Sequence, residues 1–148
     1  MFTTTTSRRL GLIAGAGVIA AVTGTLGIAT ATPERAHHTI RLTSVQLRDT
    51  IIKGVDVATD RDVSHGQTVG YDVTSCQVDP ASHTAKCDVA MARSDGMLRG
   101  RATIDVNTGT GTGRITGGTR TYQGVSGSLS VAPGASQGRV KITISYHS

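Results

Sequence analysis

Residues 68–106 read TVGYDVTSCQVDPASHTAKCDVAMARSDGMLRGRATIDV, and the fold is decided here. Three runs, Thr68–Val78, Thr84–Ala92 and Met97–Val106, alternate apolar and polar residues with a period of two. The connection Asp79-Pro80-Ala81-Ser82-His83 and the one containing Asp95-Gly96 are built from turn formers, so the runs form an antiparallel meander. If Val78 pairs with Ala85, then Cys76 falls opposite Cys87, placed for a cross-strand disulfide in an oxidising compartment. A redox or nucleophilic pair would need a different geometry, since eleven-residue spacing on paired strands lacks the C-x-x-C arrangement that lowers a thiol pKa. The same register pairs Thr74 with Val89 and Asp72 with Met91. A two- or four-residue turn at Asp95-Gly96 then puts Leu98, Gly100, Ala102, Ile104 and Val106 on that face too. This face is apolar, whereas Asp88, Arg99, Arg101 and Asp105 share the other. Asp72 is therefore read as the lone carboxylate of the inner face, suited to proton transfer or to gripping the polar end of a ligand. The alternative setting is a solvated rim aspartate near a strand end.

Working outward, further strands are expected at Thr39–Leu47, Ile51–Ala58, Gly113–Thr116, Gly127–Val131 and Arg139–Tyr146. No helix-period segment exceeds a turn or two. An all-β chain of about eight short strands closes into an antiparallel barrel just wide enough for side chains or one small ligand. In the first strand Ile40 and Leu42 lie on one parity and Val45 and Leu47 on the other, which calls for a bulge or bend. Asn107–Gly113 reads as a flexible loop. Its Gly109-x-Gly111-x-Gly113 pattern is not a phosphate loop, because no helix follows for it to open.

Before the strands, Ser7-Arg8-Arg9 leads into an uncharged stretch from Leu10 to Ile28, and Ala29-Thr30-Ala31 fits the small-residue exit of a cleavable signal peptide. Residues 1–31 are thus expected to be removed, 32–39 to form a flexible mature N-terminus, and 40–148 to form the barrel. A retained membrane helix would lack that exit, and the glycines between Gly11 and Gly27 weaken the stretch as a span, so no stable membrane anchor remains after cleavage. Arg8-Arg9 also resembles a twin-arginine signal, although Gly11 stands where a large apolar residue is usual; both export routes stay open. The expected location is secreted, across the cytoplasmic membrane.

After residue 31, thirteen basic residues face ten acidic ones, a mild excess near +3, and the aromatic side chains are Tyr71, Tyr122 and Tyr146 alone. Scattered charge and few rings argue against nucleic-acid binding and sugar stacking. His37-His38 point to opposite sides of an extended chain, and His65, His83 and His147 have no ligand spacing, so neither a zinc site nor any cofactor is expected. No nucleophile-elbow motif supports Ser/His/Asp catalysis.

The residues Gly66-x-x-Val69-Gly70-Tyr71-Asp72 leading to Cys76, then Cys87, then Ile115-Thr116-Gly117-Gly118-Thr119-x-x-Tyr122-x-Gly124-x-x-Gly127 carry a resemblance. Over about residues 40–146 the chain resembles the bacterial members of the allene oxide cyclase and dirigent-protein barrel family. Arg120 stands where a glycine is usual and Val125 where a small alanine is common. The resemblance implies an eight-stranded barrel that binds an apolar or phenolic small molecule, commonly as a homodimer or homotrimer. Family members cyclise a reactive substrate or hold radical intermediates for stereoselective coupling, chiefly by fixing conformation and excluding water. Tyr71, Met91, Tyr122 and Tyr146 are taken as candidate ligand contacts and Asp72 as the candidate catalytic group. A non-catalytic ligand-binding or structural barrel is the second reading. Several inward polar residues would favour chemistry, and a lumen of Val, Ile and Met alone would favour binding.

Overall fold

The computed structural model describes residues 35–148; the readings of residues 1–31 and of 32–34 fall outside them. Eight strands follow one another: β1 (His37–Ile52), β2 (Val55–Ser64), β3 (Gln67–Asp79), β4 (Thr84–Arg93), β5 (Gly96–Asp105), β6 (Thr110–Gly118), β7 (Ser126–Pro133) and β8 (Arg139–His147). Each pairs antiparallel with the next, and β8 returns to β1 to close the barrel. Closure is how an all-β chain of this size leaves few backbone groups on an open edge. The single helical element among the described residues is a 3-10 turn, Arg120–Tyr122.

The central meander has the register its turns dictate. Cys76 lies opposite Cys87, Thr74 opposite Val89 and Asp72 opposite Met91. A two-residue turn then puts Met91 opposite Leu98, Val89 opposite Gly100, Cys87 opposite Ala102 and Ala85 opposite Ile104. Val106 departs from the expected row, because β5 ends at Asp105, whose carboxylate accepts from the backbone N–H of Asn107 and Thr108 and turns the chain. Cys76 and Cys87 form a disulfide across eleven residues. Closing a loop of that length stabilises by about 3 kcal/mol in the chain-entropy model. Reduction is therefore expected to lower the melting temperature appreciably in a thermal scan; an unchanged melting temperature would deny the bridge a structural role.

Three expectations need correction. Ile51–Ala58 is not one strand: Lys53 and Gly54, at φ 51° and 81°, make a two-residue turn between β1 and β2, and β2 runs on to Ser64. Both central residues with positive φ give the turn whose twist matches paired strands. Gly111 and Gly113 lie in β6, so the expected loop shrinks to 106–109. The described part of the expected flexible N-terminus is largely strand: His37, His38 and Thr39 pair with β8, and the His38 ring stacks on Tyr146 with centroids 5.0 Å apart. Arg120, standing where a glycine is usual, has φ 54°, the left-handed region that glycine adopts without strain.

The expected change of phase in β1 is present. The register against β2 shifts between Gln46 and Arg48, leaving Leu47 as the bulge residue. Leu42, Leu98, Ile115, Leu129 and Ile144 are the centre of the buried core. At the end carrying His37 and His147, Tyr122, Val125 and Tyr146 close the barrel as a floor, the two tyrosine rings meeting edge to face at 5.7 Å. Gly118 permits this closure, since a Cβ there would run into the Met97 carbonyl oxygen and the Tyr122 side chain.

Candidate functional site

Above the floor lies a cavity of about 330 Å³ that reaches Gly109, Gly138 and Arg139 at the opposite end. Its two sides differ. Residues of β4 to β8, including Met91, Leu98, Ile115, Leu129, Ile142 and Ile144, make an apolar wall. Facing them, β1, β2 and β3 contribute Ser44, Gln46, Asp60, Asp72 and Thr74.

Antiparallel pairing explains how the polar wall arises. Residues directly opposite across an antiparallel pair share a face. Asp60 lies opposite both Gln46 and Asp72, Asp62 opposite Ser44 and Gly70, and Ala58 opposite Thr74. The sequence VDVATDRDV of β2, residues 55–63, thus turns Asp56, Ala58, Asp60 and Asp62 inward. Asp49 joins them from β1, opposite Ala58. Asp72 is buried at 1% exposure, so it is the inner-face carboxylate and not the solvated rim group. The expectation that it stands alone there is overturned by Asp60 and Asp62.

One hydroxyl links the pair. Ser44 Oγ lies 3.0 Å from Asp60 Oδ2 and 3.1 Å from Asp72 Oδ2, and Thr74 Oγ1 donates to Asp72 Oδ1 at 3.2 Å. Serine has one hydrogen to give, so the two carboxyls compete for it. Burial, then the negative charge of Asp72, push Asp60 up to about 6. Asp62 is fully buried, and neither of its oxygens has a donor. Burial, then the neighbouring Asp72 carboxyl, push Asp62 up to about 8, against the opposing pull of Arg93. Gly70 leaves the room for it: a Cβ there would come within 3.3 Å of Asp62 Oδ2 and 2.5 Å of the Ala92 carbonyl oxygen.

The four candidate ligand contacts separate. Met91 lines the cavity between Asp72 and Leu98. Tyr71 does not: neighbours on a strand alternate, so with Asp72 inward its ring stands on the outer face, 52% exposed. Tyr122 and Tyr146 belong to the floor rather than the cavity lining. The Tyr122 hydroxyl donates to Asp95 at 2.8 Å and accepts from Arg93 Nε at 3.0 Å, latching the 3-10 turn to the β4–β5 connection. Burial, then the Asp95 bond, push this phenol up to about 12, so it stays protonated as a structural latch. Among the described residues no group of three or more His, Cys, Asp and Glu side chains is arranged to hold a metal ion. No helix among them is long and apolar enough to cross a membrane.

The fold and this cavity define a small, closed, eight-stranded antiparallel barrel with a two-sided lumen. Similar barrels are found among solved structures. Pyocyanin demethylase has a TM-score of 0.63 at 23% identity, over 74% of this chain and 99% of that one. The exo-specific intermolecular Diels–Alderase AbnU has a TM-score of 0.61 at 13% identity, over 76% of this chain and 99% of that one. The Diels–Alderase AbmU from Streptomyces koyangensis has a TM-score of 0.61 at 17% identity, over 79% and 70%. Identities this low carry the fold alone. No family model and no curated protein matches the sequence.

Proposed function

We propose that the chain is an exported barrel whose lumen takes an apolar or phenolic small molecule and directs its cyclisation or stereoselective coupling. The observation that carries this reading is the two-sided cavity: an apolar wall to hold a carbon skeleton in one conformation, and a carboxyl pair aimed at one side of it. A lumen with Ser44, Asp60, Asp72 and Thr74 turned inward supports the reading of chemistry over that of passive binding. Asp60, raised to about 6, suits proton transfer near neutral pH, where acid and base forms are both populated. Asp72 would hold the polar end of the molecule and Met91 its body. The apolar wall keeps water out, so that conformation and proton position decide the product.

Barrels of this shape in other chains carry the names Diels–Alderase and demethylase, which fits a lumen adaptable to cyclisation. Kinship with the allene oxide cyclase and dirigent barrels is part of the proposal, resting on the Ile115–Gly127 segment. Export is supported by the disulfide and by the small-residue exit at Ala29–Ala31. We place the contact of a homodimer or homotrimer at the outer face of β3, where Tyr71 and Val73 stand about half exposed. Native mass spectrometry of the secreted protein tests these points together. A retained small molecule, a subunit mass starting near Thr32 and an oligomer are expected. An empty barrel that binds nothing from the culture extract would overturn the binding reading, and a subunit retaining residues 10–28 the export reading.

A further inference from the structure

We infer that the molecule this lumen accepts carries a basic nitrogen, held as a cation by the carboxyls of Asp60 and Asp72 while its apolar body lies against Leu98, Ile115, Leu129 and Ile144. The inference rests on the small-molecule reading above and narrows the ligand's chemistry.

A count of donors leads to it. Asp60 and Asp72 present four oxygens. Ser44 has one hydrogen for the two Oδ2 atoms, and Thr74 serves Asp72 Oδ1. Asp60 lines the cavity, and its Oδ1 is left without a donor. A buried acceptor without a partner costs about 1–3 kcal/mol, more when it is charged, so the empty site is short of hydrogens. An ammonium group brings three, with the charge that the pair lacks.

The distribution of charge points the same way. Residues 35–148 contain nine acidic side chains, all aspartates, against thirteen basic ones. Five of the nine (Asp49, Asp56, Asp60, Asp62 and Asp72) share the inner face of β1 to β3. The charges that act most on Asp60 are those of Asp72, Asp49 and Asp56, all negative. Among the described residues the ion pairs are Arg93–Asp95 and Arg101–Asp88. Arg99 and Arg139 border the cavity, but neither pairs with Asp60 or Asp72. A chain with net positive charge thus keeps a negative wall inside itself, with Asp49 and Asp56 toward the turn end to draw a cation in. An anionic ligand would meet repulsion, and a neutral hydroxyl would bring one hydrogen and no charge.

Three probes of nearly equal shape test this by isothermal titration calorimetry on the secreted protein: 1-naphthylmethylamine, 1-naphthylmethanol and 1-naphthoic acid. The amine should bind at least about tenfold tighter than the alcohol, the worth of one charged hydrogen bond, and the acid most weakly despite the chain's net positive charge. Asp60→Asn should bring the amine down to the level of the alcohol. Equal binding of amine and alcohol, or tightest binding of the acid, overturns the cation inference and leaves the small-molecule reading standing. If none of the three binds and native mass spectrometry also finds an empty barrel, both readings fall. The comparison of probes on the unaltered protein decides the matter even if the variant folds poorly.

Discussion

Asp72→Asn should abolish turnover of the natural substrate, or weaken ligand binding at least about tenfold, while the barrel stays folded. The side chain is buried beside the cavity and accepts from Ser44 and Thr74. An amide has the same shape, keeps one acceptor oxygen for Thr74, and turns a donor toward Ser44 and Asp60, so packing survives. What is lost is a charge. Removing one partner of a close charge pair costs on the order of 2–5 kcal/mol of binding, more than the stated tenfold needs. Losing the charge also relieves Asp60, whose value of about 6 is raised first by burial and next by Asp72. Ser44 would still stabilise the ionised Asp60, and Asp49 and Asp56 would still oppose it. Binding of a cation should therefore strengthen as pH rises through about 6 in the unaltered protein and at a lower pH in the variant. Titrations between pH 5 and 8, with circular dichroism to check the fold, separate this from a structural defect. If binding, activity and stability all stay unchanged, Asp72 is an idle buried group and the site lies elsewhere.

The sequence announces β3, β4 and β5 clearly because their local signals agree. Turn formers stand at 79–83 and at Asp95-Gly96, the cysteines fix one register, and the inner row from Ala85 through Met91 to Leu98 and Ile104 is apolar. The β1–β2 hairpin speaks ambiguously. Its turn is Lys53-Gly54, without the Asn or Asp that usually marks a first central residue at positive φ, and Ile51, Ile52, Val55 and Val57 run across it as if one strand continued. Losing that turn hides β2, and with β2 go Asp60 and Asp62. The polarity of β2 is also inverted, aspartates inward and Val55, Val57 and Val63 outward, so the rule of apolar residues inside selects the wrong face. The alternation of Asp56, Ala58, Asp60 and Asp62 was a usable signal once the turn was placed. Tyr71 fails on arithmetic that the chain itself supplies, for it adjoins Asp72 and the two cannot share a face. Tyr122 is buried as its surroundings suggest, but its hydroxyl serves Arg93 and Asp95, contacts between distant residues that no local pattern encodes.

Asp62→Asn should stabilise the protein in alkaline solution and change little in acid. Asp62 has no exposure, and its pKa is pushed up to about 8 from the ordinary 3.8, by burial first and then by the neighbouring Asp72 carboxyl. A carboxyl raised in the folded state holds a proton there that the unfolded chain has already released. Between about pH 4 and 8 the folded state therefore binds more protons than the unfolded one, and stability falls as pH rises. The contribution is fully present below the unfolded value and is lost as pH approaches the folded one. At ~1.4 kcal/mol for each pH unit, the window of about four units has an upper bound of ~6 kcal/mol. Asparagine removes the titration at nearly the same shape, while Arg93, which attracts the ionised form, loses an attraction that acts only at high pH. Asp60 titrates in the same direction in both proteins, so it cancels in the comparison. Melting curves at pH 4 and pH 8 should thus nearly coincide at the first and differ by roughly 10 °C or more at the second, with the variant higher. A variant that melts lower at every pH would mean that Asp62 is held ionised by Arg93. The reading of Asp62 as a buried, protonated carboxyl would then be wrong.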